Sequence, residues 1–306
     1  MLQCVYCEQE LIYKQATGEY LCEYCNTSFA HDNGVYDFLR NESEKETRDF
    51  FPKDSYDLLF QLENNSFWFF GRNLLIKHMI SNYLAPNSMI LEIGCGTGFV
   101  SSYLQKAGYD SIDCSDVFQT AIRYCKERDA GNVYYLFDLK YCPFFEHYDG
   151  VCVFDVLEHI DDDELALKNL YQSVREEGFL FITVPASNLL WSEADVYLKH
   201  KRRYSREELI QKVEHAGFHV VRCTYFMSFL FPILYVGRRF EGTSDQNAAA
   251  VCSNSDRFVV RELKLNWVLN KIFSSTFSIE ILLLKYRDFS FGSSLFCVAQ
   301  KTAKTG

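Results

Sequence analysis

The run Ile90-Leu91-Glu92-Ile93-Gly94-Cys95-Gly96-Thr97-Gly98 decides how this chain folds. An apolar strand leads into a glycine-rich turn, and the turn opens a helix. Glycines at 94, 96 and 98 let the backbone bend tightly and approach a ligand with no Cβ in the way. A dinucleotide fingerprint needs G-x-G-x-x-G, and its last position here is Phe99; a P-loop would need Gly-Lys-Ser/Thr, which does not follow. A G-x-G-x-G loop preceded by an acidic strand residue suits a nucleoside with an amino-acid tail rather than one with a pyrophosphate, with Glu92 two residues before the first glycine, near the place for a cationic ligand group.

Outward from the turn, short apolar runs at 89–93, 110–113, 133–137, 150–154, 178–184, 219–225 and 294–300 read as strands. Segments 97–107, 118–128, 161–174 and 206–216 read as helices. Such alternation predicts an α/β, Rossmann-like, doubly wound sheet of seven mostly parallel strands. The second strand is expected to end at Asp113, where a carboxylate can accept hydrogen bonds from both ribose hydroxyls. The third ends at Asp138, placed for the exocyclic amine of an adenine. With Glu92, three acids are thus expected along one crevice.

Residues 88–220 resemble the class I S-adenosylmethionine-dependent methyltransferases: LEIGCGTG is the first motif, SIDCS the second-strand motif, and FDVLEHI with GFLFITVP the later ones. The resemblance implies that Glu92, Gly94, Cys95, Gly96 and Gly98 hold the methionine part, Asp113 the ribose and Asp138 the adenine end. Cys114, Leu139, Phe154 and Arg72 are expected in the same cofactor site.

Residues 1–40 form a small unit with two pairs, Cys4-x-x-Cys7 and Cys22-x-x-Cys25, separated by fourteen residues. Two such knuckles supply the four thiolates that tetrahedral Zn²⁺ prefers, and metal binding would provide folding energy that so short a unit lacks. The phrase DNGVYDFL resembles the end of zinc ribbons, related to the Trm-type activator, that precede some bacterial methyltransferases. Residues 1–45 carry three basic side chains against eight acidic ones, a poor surface for RNA. The ribbon is therefore expected to dock on the next domain or on a protein partner. Residues 41–87 read as a linker and helices covering the cofactor site, and 88–306 as the methyltransferase domain with acceptor-facing insertions at about 186–206 and 226–290.

Phe67, Trp68, Phe69 and Phe70 are consecutive, so they cannot all face one core from a helix; Trp68 is a candidate substrate contact. Asp155, Glu158 and His159 end the fourth strand, beside the expected methyl-transfer cleft. The segment LWSEADVYLKHKRRYSREEL holds the one dense basic run, Lys199, Lys201, Arg202, Arg203 and Arg206. It reads either as a solvated face or as an anchor for an anionic acceptor formed by Lys199, Arg203 and Tyr204, with His200 or His159 as general base.

Composition narrows the classes further. The chain has 306 residues, 48% hydrophobic, with 15 Gly and 5 Pro, which excludes disordered and collagenous chains. A net charge of −10 disfavours nucleic acid. The 12 cysteines, without a leader pattern at the N-terminus, place the protein in the cytoplasm with thiols as metal ligands or buried residues. No membrane span is expected, although the apolar stretches at 226–236 and 272–284 could touch a membrane surface or a lipid-like substrate. The expected function is methylation of a small-molecule or glycan or lipid-linked acceptor, most simply on oxygen. The alternatives are an RNA or protein methyltransferase that uses the ribbon for recognition, and a non-catalytic cofactor-binding adaptor.

Overall fold

The computed structural model describes residues 1–40, 53–240 and 266–303. Most of the bridge at 41–54, and the loop expected at 241–255, lie outside the described residues. The ribbon carries β1 (Ile12–Lys14), β2 (Glu19–Cys22), β3 (Thr27–Phe29), β4 (His31–Asp32) and β5 (Val35–Asp37). Helices α1 (Lys53–Leu62) and α2 (Phe67–Ile80) follow. Then come β6 (Ile90–Ile93), α3 (Phe99–Lys106), β7 (Ile112–Asp116), α4 (Gln119–Glu127) and β8 (Tyr134–Leu136). The second half runs β9 (Tyr148–Phe154), α5 (Asp163–Ser173), β10 (Val174–Pro185), α6 (Glu193–Tyr197), α7 (Arg206–His215) and β11 (His219–Phe226). It ends with α8 (Phe231–Phe240), α9 (Trp267–Leu284) and β12 (Ser294–Gln300).

The main sheet is ordered β11-β12-β10-β9-β6-β7-β8-β5-β4. Seven of these strands are the expected ones, with β12 inserted antiparallel between β10 and β11. The other two come from the N-terminal unit: β5 pairs in parallel with β8, and β4 closes the edge antiparallel to β5. The sheet therefore has nine strands rather than seven, because the end of the ribbon covers an edge whose backbone groups would otherwise lack partners.

Alternating side chains put a core on each face. Leu91, Ile93, Val151 and Val153 join Phe38, Phe144, Leu167 and Leu209 on the face shared by the ribbon, α5 and α7. Ile90, Ile112, Cys152 and Phe154 join Leu75, Ile76, Leu104, Ile122 and Phe277 on the face covered by α2, α3, α4 and α9. Chain order reverses between the adjacent strands β6 and β9. Their carboxyl ends therefore open a crevice, the position at which doubly wound sheets bind ligands.

The four aromatics at the start of α2 diverge. Phe67 packs edge-on against Phe273, Phe69 against Phe99, and Phe70 is half exposed. Trp68 stacks between Phe226 and Phe277, at 6.1 and 6.4 Å between ring centroids. Trp68 thus packs α2 against β11 and α9. Among the described residues one helix, α9, is long and apolar enough to cross a membrane by composition. It packs through Phe277, Ile281 and Leu284, and its Glu280 carboxylate is buried, accepting from the Phe229 amide at 3.0 Å.

Candidate functional site

The turn after β6 is shaped by its three glycines. All have positive φ, 72°, 53° and 74° at Gly94, Gly96 and Gly98. A Cβ at Gly94 would lie 2.3 Å from Val156 and one at Gly98 2.6 Å from Ala130, so close packing also requires them. At Gly96 no atom lies within 4 Å of a Cβ position, which leaves the backbone open to the crevice. A cavity of about 130 Å³ lies there, lined by Gly94 to Thr97, Glu92, Phe154 and Arg72. Tyr56, Leu59, Glu63 and Phe69, from the helices ahead of the sheet, form its other wall.

Carboxylates hold this wall in place. Glu92 accepts from the Ser101 amide at 3.1 Å and from the Ser101 hydroxyl, which ties β6 to the first turn of α3. Burial pushes its carboxyl up to about 8. Glu63 accepts from the Thr97 hydroxyl at 2.6 Å and pairs with Arg128 at 2.6 Å; burial raises it to about 7. Arg72 pairs with Asp155 at 2.6 Å, and its Nε is buried without a partner. Sequence reasoning missed Glu63, whose neighbours Leu62 and Asn64 carry no motif.

Asp113 is not in the crevice. Strand β7 continues to Asp116, so Asp113 sits opposite Leu91, one residue into the strand. Its side chain points to the ribbon face, where its carboxylate accepts from the Tyr148 hydroxyl at 2.9 Å. Asp116 occupies the strand end instead, accepting from the Gly96 amide at 3.0 Å and from the Phe118 amide at 2.9 Å. Burial raises Asp116 to about 6. The period of two was the available signal: residues 112, 114 and 116 share the face of Glu92, and 113 does not.

Two more expected cofactor contacts move. Cys114 lies beneath the loop in a buried thiol group with Cys95 and Cys125, donating to the Ala130 carbonyl. Leu139 is buried in the core on the ribbon face and does not line the cavity. Asp138 stands just beyond β8 and accepts from the Lys140 amide at 3.0 Å, capping a short 3₁₀ turn.

The basic run is not an open anion anchor. Arg203 is buried and grips Asp195 through both ends of its fork, at 2.8 and 3.0 Å. Arg202 pairs with Asp163 at 2.8 Å and Lys201 with Asp161 at 3.1 Å. Tyr204 is buried and donates to Asp163 at 2.7 Å. Lys199 is exposed. These cations hold the 186–206 segment against the carboxyl ends of the strands, and a Lys201 amide to Glu158 carbonyl bond of 2.7 Å completes the tether. His200 and His159 do come together, with ring centroids 4.9 Å apart, and His200 Nδ1 lies 2.8 Å from Asp195 Oδ1.

In the ribbon, Cys4, Cys7, Cys22 and Cys25 converge, with sulfurs 3.6 Å apart between Cys4 and Cys25 and 3.5 Å between Cys7 and Cys22. Such spacing fits the edges of one sulfur tetrahedron around a zinc ion. The unit docks on the sheet through Phe38, Tyr36 and Tyr135 and through the Gln3 amide to the Pro143 carbonyl.

The order of strands, the reversal at β6 and β9 and the glycine turn define a class I methyltransferase fold. Residues 70–222, half of the chain, match the family described as "Methyltransferase domain", and the chain belongs to it. A malonyl-[acyl-carrier protein] O-methyltransferase from Hamiltonella defensa is 24% identical over 132 residues, which are 41% of this chain and 51% of that protein. A mouse eEF1A lysine and N-terminal methyltransferase is 29% identical over 86 residues, 28% of this chain and 12% of that one. The chain thus spans about half or less of the length of these relatives. Phosphoethanolamine N-methyltransferase 2 of Haemonchus contortus, solved with S-adenosyl-L-methionine, superposes with a TM-score of 0.52 at 16% identity, over 86% of this chain and 61% of that one, a likeness of fold.

Proposed function

We propose that the chain transfers a methyl group to an oxygen of a small-molecule or glycan or lipid-linked acceptor, at the crevice between β6 and β9. The observation that carries this reading is the Asp195–His200 pair, 2.8 Å apart, beside His159 at the end of β9. A hydroxyl acceptor must lose a proton as it is methylated, and a carboxylate-oriented imidazole serves that need. The named O-methyltransferase relative is in keeping with it.

S-adenosylmethionine supplies a methyl group already activated by its sulfonium. The protein's work is then to bind and align. Gly96 leaves room for the methionine backbone, and Glu92 and Arg72 face its charged ends. Asp116 is assigned the ribose hydroxyls and Asp138 the adenine end. Tyr56, Phe69 and Phe154 exclude water from the cavity. Zn²⁺ held by Cys4, Cys7, Cys22 and Cys25 serves structure, since the site lies on the ribbon at the far edge of the sheet. Exposed Ile233, Val236, Ile272, Ile279 and Leu282 on α8 and α9 suit an apolar, lipid-linked acceptor. We place the reaction in the cytoplasm.

The test is incorporation of labelled methyl from S-adenosylmethionine into fractionated cell extract. Label in the small-molecule, glycan or lipid fraction supports the proposal. Label confined to protein or RNA overturns it in favour of a macromolecular acceptor.

A further inference from the structure

Beside the crevice lies a cluster that cofactor binding does not use. Glu158, His159 and His200 each offer one donor atom, and these atoms lie within 4.8 Å of one another. Glu158 and His159 sit on the turn after β9, while His200 comes from the segment after β10. Glu158 is fully buried, and neither of its carboxylate oxygens has a hydrogen-bond partner. Native structures rarely leave both oxygens of a buried carboxyl group without a partner.

The charges around it show what is missing. Arg72 is matched to Asp155 and Arg203 to Asp195. Glu158 accepts a hydrogen bond from neither arginine, and His200 Nε2 lies 3.9 Å from Glu158 Oε1. That separation is too long for a hydrogen bond. It suits two donors on one first-row metal ion, whose bonds of about 2.0–2.2 Å set neighbouring donors roughly 3–4 Å apart. Asp195 meets His200 at Nδ1, which fixes the tautomer and turns the Nε2 lone pair to Glu158. A carboxylate behind the ligating imidazole is the usual support of a metal-bound histidine. His159 is the solvent-exposed member, so an ion there has an entry path and open positions.

We propose that Glu158, His159 and His200 form a second metal site, separate from the ribbon, for a divalent first-row transition cation. Two imidazoles and one carboxylate suit zinc, iron, manganese or cobalt rather than calcium or magnesium. Resting on the O-methylation reading above, the open positions take the acceptor's oxygen, and the cation lowers the cost of its deprotonation. The Asp195-oriented His200 then serves the deprotonation through the ion it holds, and the acceptor's proton leaves to the water of the open crevice.

The site is tested by titrating the full, zinc-loaded chain with Mn²⁺ and following the free-ion signal by electron paramagnetic resonance, since Mn²⁺ competes poorly for the ribbon thiolates. One bound Mn²⁺ per chain is expected. Glu158→Gln, which keeps the side-chain shape, and His159→Ala, which alters an exposed residue, each weaken binding at least about tenfold. Zinc content and the melting temperature without Mn²⁺ stay at the wild-type value. If wild type holds Mn²⁺ no better than Glu158→Gln, and a parallel Co²⁺ titration shows no absorption bands beyond those of the thiolate site, the proposal fails. Calorimetry with S-adenosylmethionine on the same samples separates the outcomes: cofactor binding without a metal site refutes this inference alone, and loss of cofactor binding refutes the enzyme reading.

Discussion

Two carboxylates three residues apart in β7 have different fates, and the difference is parity in a strand. Asp116 shares the cavity-side face with Glu92, while Asp113 faces the ribbon and Tyr148. Asp116→Ala is expected to weaken S-adenosylmethionine binding by about 10- to 100-fold in calorimetry, the loss of hydrogen bonds to a charged group. Asp113→Ala should leave affinity within about twofold while lowering the melting temperature; equal losses would show that the ribose site is assigned wrongly. Glu92 carries a pH signature. Its folded value of about 8 lies above the 4.5 of an ordinary glutamate. Between those values the unfolded chain has lost its proton and the fold retains it, so stability falls as pH rises and levels off above the folded value. Glu63, at about 7, acts in the same direction. The melting temperature of the cofactor-free protein should therefore fall from pH 6 to 8.5, and Glu92→Gln should flatten that fall. A pH-independent offset between variant and wild type would count against the burial argument.

At the scale of elements, α2 does two jobs. Phe69 and Arg72 line the cavity, while Gly71 lets α9 approach closely. A Cβ on Gly71 would lie 2.1 Å from the Phe277 ring, and the same ring stacks on Trp68 and Phe226. Gly71→Ala must push α9 outward or rotate Phe277. Overpacking of this kind costs about 1–3 kcal/mol, measurable by denaturant unfolding. A neutral outcome would show that α9 is held loosely against α2. The segment carrying α6 is held differently, through ion pairs of Asp195 and Asp163 with the arginines that a linear reading takes for an anion anchor.

At the scale of the whole molecule, the ribbon and the main sheet are one structure. Strand β5 lies on β8, and Phe38 and Tyr36 pack on Tyr135, so the cysteine site braces the edge that ends in Asp138. Removing zinc with a chelator should unfold the ribbon, strip that edge and lower the melting temperature by about 5 °C or more, with zinc restoring it. Cys22→Ser should reproduce the loss. An unchanged melting curve together with a fall in metal content would mean that the ribbon folds without its ion.

Sequence alone determined the parts governed by local chemistry. The glycine turn, the four-cysteine spacing and the strand and helix order each follow from backbone conformation, ligand geometry or periodicity within about twenty residues. Asp155, Glu158 and His159 were legible as the end of β9 for the same reason. Tertiary structure alone decided which side chains met across the chain. It ended β7 at Asp116, since a strand continues as long as a neighbour offers partners. It extended the sheet to nine strands with β4 and β5, drew Glu63 to Thr97, and turned Arg203 inward to Asp195. It brought His200 to Glu158 and His159 from forty residues away. A buried charge is matched by whatever partner the fold brings within reach, and a linear sequence does not state that distance.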